Sequence, residues 1–423
     1  MIKTAYQKGL NFAKEMDLQD PLASFSDEFH IPTQKNGDKH IYLCGNSLGL
    51  QPKQTASFIQ QELDDWANLG VEGHTEAQHP WMPYHEFLSE SMAKIVGAKP
   101  SEVVVMNTLT TNLHLMMVSF YRPTSKKYKI VIEADAFPSD KYAVESQLKF
   151  HNIDPADGLI LWKPREGEHL CRLEDLKEIV AENKEEIALF MIGNTNYYSG
   201  QFYNMSEITK LGHDNGIIVG FDLAHGAGNI QPNLHEVGAD FAVWCTYKYL
   251  NSGPGSLGGC FVHERHANNK ELKRFVGWWG HNKDTRFNMR KDFDPIPGAE
   301  GWQLSNPPIL SMAAIRASLA IFERAGFENI REKSEKITGY LEFLLSDFAG
   351  DKINILTPKN PKERGCQLSI QVKNADKSLF DAITKQGVIA DWREPDVIRI
   401  APAPLYNSYQ DVFAFAELLK KLI

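Results

Sequence analysis

Gly216-Ile-Ile-Val-Gly-Phe-Asp-Leu-Ala-His-Gly226 and Thr246-Tyr-Lys-Tyr-Leu-Asn-Ser-Gly-Pro-Gly255 are the two stretches that decide the fold. Apolar runs of strand length, residues 217–221 and 240–245, lead directly into Asp222 and toward Lys248. The carboxyl ends of parallel strands meet at one edge of a sheet, where ligands bind. The sequence therefore predicts that Asp222 and Lys248 face one site.

The order of residues after these strands indicates the kind of site. A carboxylate can keep a pyridine nitrogen protonated, and a lysine amine can form a Schiff base with an aldehyde. Gly253 and Gly255 would let the backbone approach a phosphate closely. Taken singly, Asp222 is typical of a helix cap and Lys248 of a solvated surface. Together they predict a pyridoxal phosphate site.

Strand-like and helix-like segments alternate through the middle of the chain, which predicts an α/β fold with a mostly parallel central sheet flanked by helices. The predicted strands of this large domain are residues 103–106, 128–132, 188–192, 217–221, 241–244 and 259–262. The predicted helices are residues 140–150, 173–183, 205–215 and 309–325. A smaller α+β C-terminal domain is predicted from helices at 328–348, 378–386 and 409–423 and from strands at 366–370 and 397–400.

A polar, proline-bearing stretch at residues 292–308 interrupts the alternation and suggests a division of the chain. We expect residues 71–308 to form the large cofactor-binding domain. Residues 309–423 would supply a linking helix and the small C-terminal domain. Residues 1–70 would form an N-terminal segment that packs on the small domain.

Composition favours small-molecule chemistry. Acidic residues outnumber basic ones by 54 to 45, which gives no electrostatic reason to expect nucleic acid or an anionic membrane as partner. The 5 cysteines are scattered without metal-type spacing, so we expect a reducing compartment and no metal. No stretch approaches the roughly 20 apolar residues of a membrane helix, and the sequence indicates a cytoplasmic protein.

Two further segments place polar groups after strands. Asn107-Thr-Leu-Thr-Thr111 precedes a helix predicted to begin near Asn112, which makes an anion site or, alternatively, simple N-capping by Thr110 or Thr111. Ala136-Phe-Pro-Ser-Asp140 also begins a helix. Phe137 could stack on a cofactor or belong to the core, while Ser139 and Asp140 could bind it or cap the helix.

Three further residues are candidates for the site from sequence alone. His225 could reach the cofactor or bond to nearby backbone, and Tyr247 could donate a proton or be a satisfied buried tyrosine. Arg399 stands inside an apolar strand, which is costly unless it meets an anion. A substrate carboxylate and a buried salt bridge remain open as that anion.

Motifs along nearly the whole chain resemble those of the kynureninase family of pyridoxal phosphate enzymes, which have the aspartate aminotransferase fold (fold type I). The matching motifs are Tyr42-Leu-Cys-Gly-Asn-Ser-Leu-Gly-Leu50, Ala136-Phe-Pro-Ser-Asp140, Glu145-Ser-Gln-Leu148, Lys163-Pro-Arg-Glu-Gly167, Gly220-Phe-Asp-Leu-Ala-His225, Tyr247-Lys-Tyr-Leu-Asn251, Gly277-Trp-Trp-Gly-His281, Ser305-Asn-Pro-Pro-Ile309 and Arg399-Ile-Ala-Pro402.

The resemblance implies a role for each matching site residue. Lys248 would carry the Schiff base, Asp222 would pair with the ring nitrogen, and Arg399 would hold the substrate carboxylate. His74 and Asn306 would lie near the aromatic end of the substrate. The remaining cofactor contacts would come from Leu109, Thr110, Phe137, Pro138, Ser139, Asp140, His225, Tyr247, Trp278 and Asn306. Trp278 and Asn306 would come from the other subunit of a homodimer whose active sites lie at the subunit interface.

One position departs from the family pattern. Relatives often carry a hydroxyl residue that contacts the cofactor where this chain has Gly193. The contact would be lost or supplied by Thr195, and we expect at most weaker cofactor binding, since one hydrogen bond contributes about 1 kcal/mol net.

The implied reaction is hydrolytic cleavage of L-kynurenine, or of its 3-hydroxy form, to anthranilate or 3-hydroxyanthranilate and L-alanine. Lys248 would move the α-proton, and Tyr247 is a candidate proton donor. The implied role is tryptophan catabolism, with de novo NAD biosynthesis left open.

Two other reactions are known on this fold, desulfuration and transamination. Desulfuration would need a mobile nucleophilic cysteine, and Cys366 leads directly into a predicted strand. Transamination is a further alternative. A non-catalytic pyridoxal phosphate-binding regulator is disfavoured because the chain keeps the lysine and carries no recognisable DNA-binding segment.

Overall fold

The computed structural model describes residues 6–289 and 291–423. Its α-helices are α1 (Leu10–Leu18), α2 (Thr55–Leu69), α3 (Gly73–Glu76), α4 (Glu86–Val96), α5 (Leu109–Phe120), α6 (Pro138–Phe150), α7 (Pro155–Gly158), α8 (Leu173–Asn183), α9 (Met205–Asp214), α10 (Leu234–Val237), α11 (Ile309–Ala325), α12 (Phe327–Leu345), α13 (Lys377–Lys385) and α14 (Tyr409–Leu422). Within this described part of the chain, no helix is both long and apolar enough to cross a membrane.

The strands are β1 (Phe29–His30), β2 (Ile41–Tyr42), β3 (Gln51–Pro52), β4 (Val103–Met106), β5 (Lys129–Glu133), β6 (Leu159–Trp162), β7 (Ile187–Gly193), β8 (Ile218–Asp222), β9 (Phe241–Cys245), β10 (Gly258–Val262), β11 (Ile353–Ile355), β12 (Leu368–Val372), β13 (Val388–Ile389), β14 (Asp391–Arg393) and β15 (Val397–Ile400). The central sheet has 7 strands in the order β4-β10-β9-β8-β7-β5-β6. Strands β5 to β9 run parallel, and β10 is antiparallel to both of its neighbours.

The predicted α/β class with a mostly parallel sheet is confirmed. Its interior strands β9 and β10 are buried along their whole length, as expected when helices cover both faces of a sheet. The sequence reading omitted β6, an edge strand whose first residues, Leu159 to Leu161, are only partly buried. Its apolar run is short and follows directly on α7, so periodicity gave a weak signal there.

A second, antiparallel sheet lies in the C-terminal part of the chain, with the order β11-β12-β15-β14. Helices α12 and α14 pack together in the same hydrophobic cluster as this sheet. Helix α1 joins them: the Asp17 carboxylate accepts hydrogen bonds from the Tyr409 and Gln410 amides at 2.6 and 3.2 Å. Strand β2 pairs with β13, so two parts of the N-terminal segment contact this unit.

We propose the division into residues 1–70, 71–308 and 309–423 on the basis of these contacts. One helix of the N-terminal segment packs differently, because α2 lies against the linking helix α11. The Gln54 side-chain amide just before α2 donates to the Ala317 carbonyl oxygen at 2.8 Å. The linking helix therefore contacts both the N-terminal segment and, through α4, the large domain.

A buried ion network ties the central sheet to its covering elements, away from the predicted site. Asp240 is 3% exposed and lies 2.9 Å from both His213 Nε2 and His266 Nε2. It accepts the Val219 amide at 2.8 Å and pairs with Arg265 at 2.8 Å. Burial alone would raise the pKa of Asp240, but these partners outweigh it and hold that pKa well below its usual range.

We expect Asp240→Asn to lower the free energy of unfolding by about 3 kcal/mol at neutral pH, because it removes the buried carboxylate that pairs with Arg265 and accepts the Val219 amide. A depressed carboxyl pKa stabilises the fold fully above the unfolded value of about 4, and this contribution is lost as the pH falls further. Urea unfolding at a series of pH values from neutral to acid measures both the loss in the free energy of unfolding and its dependence on pH. Asp214→Asn on exposed α9 is the control, and an equal loss in both variants would contradict the assignment.

Candidate active site

One cavity lies at the carboxyl ends of β5, β7 and β8 and against the first turns of α5 and α6. It gathers side chains from distant parts of the sequence. The sequence-predicted site residues that line it are Leu109, Thr110, Phe137, Ser139, Asp140, Asp222, His225, Tyr247 and Lys248. The rest of its lining is Glu133, Gly193, Thr195, Tyr197 and Ala224.

Lys248 follows β9 after a short turn and projects its amine into the cavity. Its Nζ lies 3.0 Å from His225 Nε2 and 5.7 Å from the centroid of the Phe137 ring. The amine therefore has an imidazole nitrogen on one side and an aromatic face on the other. A reactive carbonyl group would meet it there.

Two carboxyl groups stand together at the end of β8. Asp222 is the last residue of that strand, is 6% exposed, and accepts a hydrogen bond from the Ala224 amide at 2.6 Å. Asp140, in the first turn of α6, is similarly buried. Burial and then the neighbouring Asp222 carboxylate raise the pKa of Asp140 well above its ordinary value. The neutral form of Asp140 is thus favoured beside Asp222.

A third carboxyl group, on Glu133, lies at the end of β5. It is 3% exposed, and both of its oxygens lie 3.1 Å from the Gly193 amide nitrogen. Burial raises the pKa of Glu133 to about 8, against the opposing effect of the backbone hydrogen bonds, and the Asp222 charge adds to the rise. The neutral acid therefore predominates near pH 7.

The imidazole of His225 is held uncharged. It is 6% exposed, and its Nδ1 atom has no hydrogen-bond partner among the described residues. Burial and then the adjacent Lys248 amine lower the pKa of His225 well below its usual value. Its Nε2 atom faces Lys248, so the free Nδ1 is the atom left for another group.

Tyr247 keeps its phenolic proton. Burial raises the pKa of this phenol, and the neighbouring Cys245 and the Asp222 and Asp140 carboxyl groups raise it further. A neutral phenol at the rim of the cavity can donate a hydrogen bond or a proton.

The first turns of two helices face each other across the cavity. Thr110 is the second residue of α5 and Ser139 the second of α6, and their hydroxyl oxygens lie 3.0 Å apart. Neither helix has a side-chain cap hydrogen bond at its N-cap residue, Thr108 or Phe137. Their amides and hydroxyls can therefore bind an anion such as a phosphate.

This geometry corrects the sequence reading of both helices. Helix α5 begins at Leu109, not near Asn112, so Thr110 lies within its first turn and does not cap it. Ser139 and Asp140 likewise lie inside α6, which begins at Pro138. Proline suits a first helical position, where its missing N–H costs nothing.

Several predicted residues do not line this cavity within one chain. His74 lies on α3, with its Nδ1 2.9 Å from the Val71 carbonyl oxygen. Trp278 is 42% exposed, and Asn306 is also exposed. Pro138 stands between two lining residues and contributes the helix start.

The glycines after the lysine also lie elsewhere. Gly253 and Gly255 take positive φ angles of 97° and 69° and line a separate cleft of about 1030 Å³ on the other side of the loop. These glycines do not line the cavity that holds Lys248, and their approach to a phosphate stays a prediction. Their conformation accounts for the two glycines as turn residues.

Arg399 is 1% exposed and pairs with the Asp391 carboxylate on the adjacent strand β14, while it also donates to the Tyr197 carbonyl oxygen. The buried salt bridge, one of the two readings open from sequence, is present. The guanidinium lies 5.5 Å from the Tyr197 ring, which lines the cavity, and its Nε atom has no partner among the described residues. Arg399 thus stands just behind the cavity wall.

Sequence reasoning missed Glu133 and Tyr197 as lining residues. Glu133 ends a predicted strand, as Asp222 does, and that shared position was the available signal. Tyr197 follows β7 in a loop that carries no periodic pattern. Thr195, named as a possible substitute for a hydroxyl at position 193, does line the cavity, and its buried Oγ1 has no partner among the described residues.

These groups fit pyridoxal phosphate. Paired helix ends with two hydroxyls suit its phosphate, the Asp222 carboxylate suits its ring nitrogen, and Lys248 suits its aldehyde. Phe137 supplies an aromatic face on the same rim. The unpartnered Nδ1 of His225 and Oγ1 of Thr195 are buried polar atoms that a polar ligand would satisfy.

Similarity to solved structures shows the class of protein to which this fold belongs. The chain resembles a cysteine desulfurase from Thermococcus onnurineus NA1 with a TM-score of 0.74, at 18% identity over 91% of this chain and 94% of that one. A C-DES mutant with glycine linked to its PLP cofactor gives 0.76, at 14% identity over 90% and 96%. The fold is thus that of the fold type I pyridoxal phosphate enzymes, and the cavity carries the groups that cofactor requires.

Curated relatives narrow the class to a family. Kynureninases from Myxococcus xanthus and Koribacter versatilis are each 54% identical, over 98% and 99% of this chain and 97% and 98% of theirs. The kynureninase of Nematostella vectensis is 47% identical over 96% of this chain and 92% of its own. The model of the kynureninase C-terminal domain matches residues 330–419. The chain belongs to the kynureninase family.

Proposed function

We propose that this protein uses pyridoxal 5'-phosphate to hydrolyse L-kynurenine to anthranilate and L-alanine. The observation that carries the proposal is one cavity holding Lys248, Asp222 and two facing helix ends, in a chain of the kynureninase family. The bound cofactor supplies an electron sink that lets the bond between Cβ and the carbonyl carbon break.

Lys248 is the residue that would hold the cofactor aldehyde, and its amine would move the α-proton of the substrate. Its Nζ lies against neutral His225, so no adjacent imidazolium opposes protonation of the amine. Asp222 keeps the ring nitrogen protonated. Neutral Asp140 lets Asp222 carry that negative charge without a second anion beside it.

Water supplies the new oxygen. It adds to the aryl ketone carbon, and collapse of the hydrate forms the anthranilate carboxylate and breaks the bond to Cβ. The electron pair left on Cβ would take up a proton, the amine of Lys248 would return a proton to Cα, and the fragment would leave as L-alanine. Tyr247, whose phenol remains protonated, is the proposed donor of a proton in the carbon–carbon cleavage half of the reaction.

Thr110, Ser139, Leu109 and the first amides of α6, after Pro138, bind the phosphate in this proposal, and Phe137 stacks on the ring. Arg399 holds the substrate carboxylate. Since Arg399 already pairs with Asp391, a substrate carboxylate would share the guanidinium through its free edge, which includes Nε.

The active protein is proposed to be a homodimer whose sites lie between subunits. Trp278 is 42% exposed, in a segment where Phe275, Val276 and Phe287 are 57%, 53% and 56% exposed. Apolar groups exposed together in this way are typical of an interface. Trp278 and Asn306 of the second chain would complete the cavity, and His74 and Asn306 would contact the aromatic end of the substrate.

Complementation between two inactive variants tests the shared site. We expect Lys248→Ala and Trp278→Ala homodimers each to lose most activity, because each lacks a group that both sites need. Mixed dimers carry one intact site, so a statistical mixture should recover about a quarter of wild-type activity. Kynurenine turnover by differently tagged, co-expressed chains measures this. Purified mixed dimers without activity above that of the single variants would refute a site shared in this way.

Substrate choice tests the reaction itself. We expect turnover of L-kynurenine or 3-hydroxykynurenine, or of both, and none of L-cysteine, since the described cysteines are free but Cys366 is fully buried beside β12. Product analysis with each amino acid checks this. Release of sulfide from L-cysteine without kynurenine cleavage would favour desulfuration instead. We propose a cytoplasmic role in tryptophan catabolism, which extends to NAD biosynthesis if the 3-hydroxy substrate is preferred.

A further inference from the structure

The base of the cavity is formed by the ends of three adjacent parallel strands. Glu133 ends β5, Gly193 ends β7 and Asp222 ends β8. The register sets Gly193 directly opposite Asp222. The Glu133 side chain reaches across to β7, where both carboxyl oxygens lie 3.1 Å from the Gly193 amide nitrogen. A side chain thus bridges β5 to the strand end that borders Asp222.

Gly193 gives this side chain its room. A Cβ atom at position 193 would lie 2.6 Å from Glu133 Oε1, closer than such contacts occur in proteins. Glu133 is 3% exposed and lines the cavity, so its carboxyl group would make room for that Cβ by leaving the Gly193 amide. The residues at 133 and 193 are therefore sterically coupled.

Glu133 is a buried acid that forms no ion pair among the described residues. Among residues 6–289 and 291–423 no lysine or arginine pairs with it. The titratable groups that influence it are the Asp222 and Asp135 carboxylates, and it in turn raises the pKa of Cys171 and Tyr203. The mechanism proposed above gives this buried group no role.

We propose that Glu133 and Gly193 form one positioning unit at the base of the cavity, in which the Glu133 carboxyl group holds the Gly193 amide and thereby fixes the strand end beside Asp222. Glu133 acts through the backbone of β7 and is not a catalytic residue. The inference rests on the proposed function, where Asp222 pairs with the ring nitrogen of the cofactor.

The test is a double-mutant cycle read by cofactor affinity. Apoprotein of the wild type, Gly193→Ala, Glu133→Ala, Glu133→Gln and the Gly193→Ala/Glu133→Ala double variant is titrated with pyridoxal phosphate. Thermal unfolding of each apoprotein is recorded alongside. We expect Gly193→Ala and Glu133→Ala each to raise the dissociation constant about tenfold, since each disturbs a buried polar contact.

Coupling predicts that Gly193→Ala adds no more than about a threefold loss once Glu133 is already alanine. Glu133→Gln should bind more tightly than Glu133→Ala, because its amide oxygen can still accept from the Gly193 N–H. The positioning unit would be overturned if Gly193→Ala lowered cofactor affinity equally in the wild-type and Glu133→Ala backgrounds. It would also be overturned if Glu133→Gln bound the cofactor no more tightly than Glu133→Ala. If Gly193→Ala alone does not fold, recovery of folding in the double variant supports the unit and its absence overturns it.

The proposed function and the positioning unit can be refuted separately. Wild-type protein that does not bind pyridoxal phosphate overturns the proposed function and this inference with it. Wild-type protein that binds the cofactor, with variants whose effects simply add, overturns the positioning unit alone.

Discussion

Lys248→Ala should lower kcat for L-kynurenine by at least about a thousandfold, because it removes both the amine that binds the cofactor and the group that moves the α-proton. Its Nζ lies in the cavity, 3.0 Å from His225 Nε2, and no other lysine lines that cavity among the described residues. Steady-state kinetics measure the loss. Borohydride reduction of wild type should also leave the cofactor covalently attached to the peptide that carries Lys248.

Lys94→Ala is the matched control, since its side chain is 66% exposed on α4 and its one ion pair among the described residues is with Glu90. It should keep wild-type kcat and the covalent label. A Lys248→Ala variant with kcat within tenfold of wild type would contradict the role assigned to this residue. If the wild-type protein responds to L-kynurenine but does not turn it over, a non-catalytic binding protein is favoured instead.

Asp222→Asn should lower kcat by roughly a hundred- to a thousandfold, because the amide keeps the shape of the side chain but cannot hold a proton on the ring nitrogen. The Ala224 amide, which donates to Asp222 Oδ1 at 2.6 Å, can still donate to the new side-chain oxygen. The fold should therefore survive while the electron sink weakens. Kinetics with saturating cofactor separate this loss from weaker binding.

Asp240→Asn is the control for burial. It also removes a buried carboxylate from the same sheet, but its partners lie away from the cavity. Asp240→Asn should lower the free energy of unfolding and leave kcat near wild type. Asp222→Asn should instead lower kcat and leave the free energy of unfolding near wild type. Loss of activity in proportion to stability in both variants would contradict a chemical role for Asp222.

Most of the sheet could be predicted because its strands are continuous apolar runs whose ends carry polar residues. The long helices α11 and α8 begin and end where their periodicity predicted. Strand β6 was missed because its apolar run is short and follows directly on α7, and its first three residues are only partly buried. The start of α5 was placed too late because Leu109 and Thr110 have no capping signal that separates a loop from a first turn.

The site was predictable where function follows from position at a strand end, as for Asp222 and Lys248. It was less predictable where two distant segments must meet. The Thr110–Ser139 contact and the reach of Glu133 to Gly193 depend on strand order, which local pattern does not contain. The positions of His74, Trp278 and Asn306 depend on a second chain in our proposal, and no pattern within one chain fixes such a contact.

The central claim is that water cleaves the bond between Cβ and the carbonyl carbon of kynurenine in the cavity that holds Lys248. The most direct measurement is to run the cofactor-loaded protein with L-kynurenine in oxygen-18 water and analyse both products by mass spectrometry. The account predicts equimolar anthranilate and L-alanine, with at least one heavy oxygen in the new anthranilate carboxylate and none gained by alanine. Cofactor binding without these products, or anthranilate without the heavy oxygen, would contradict it.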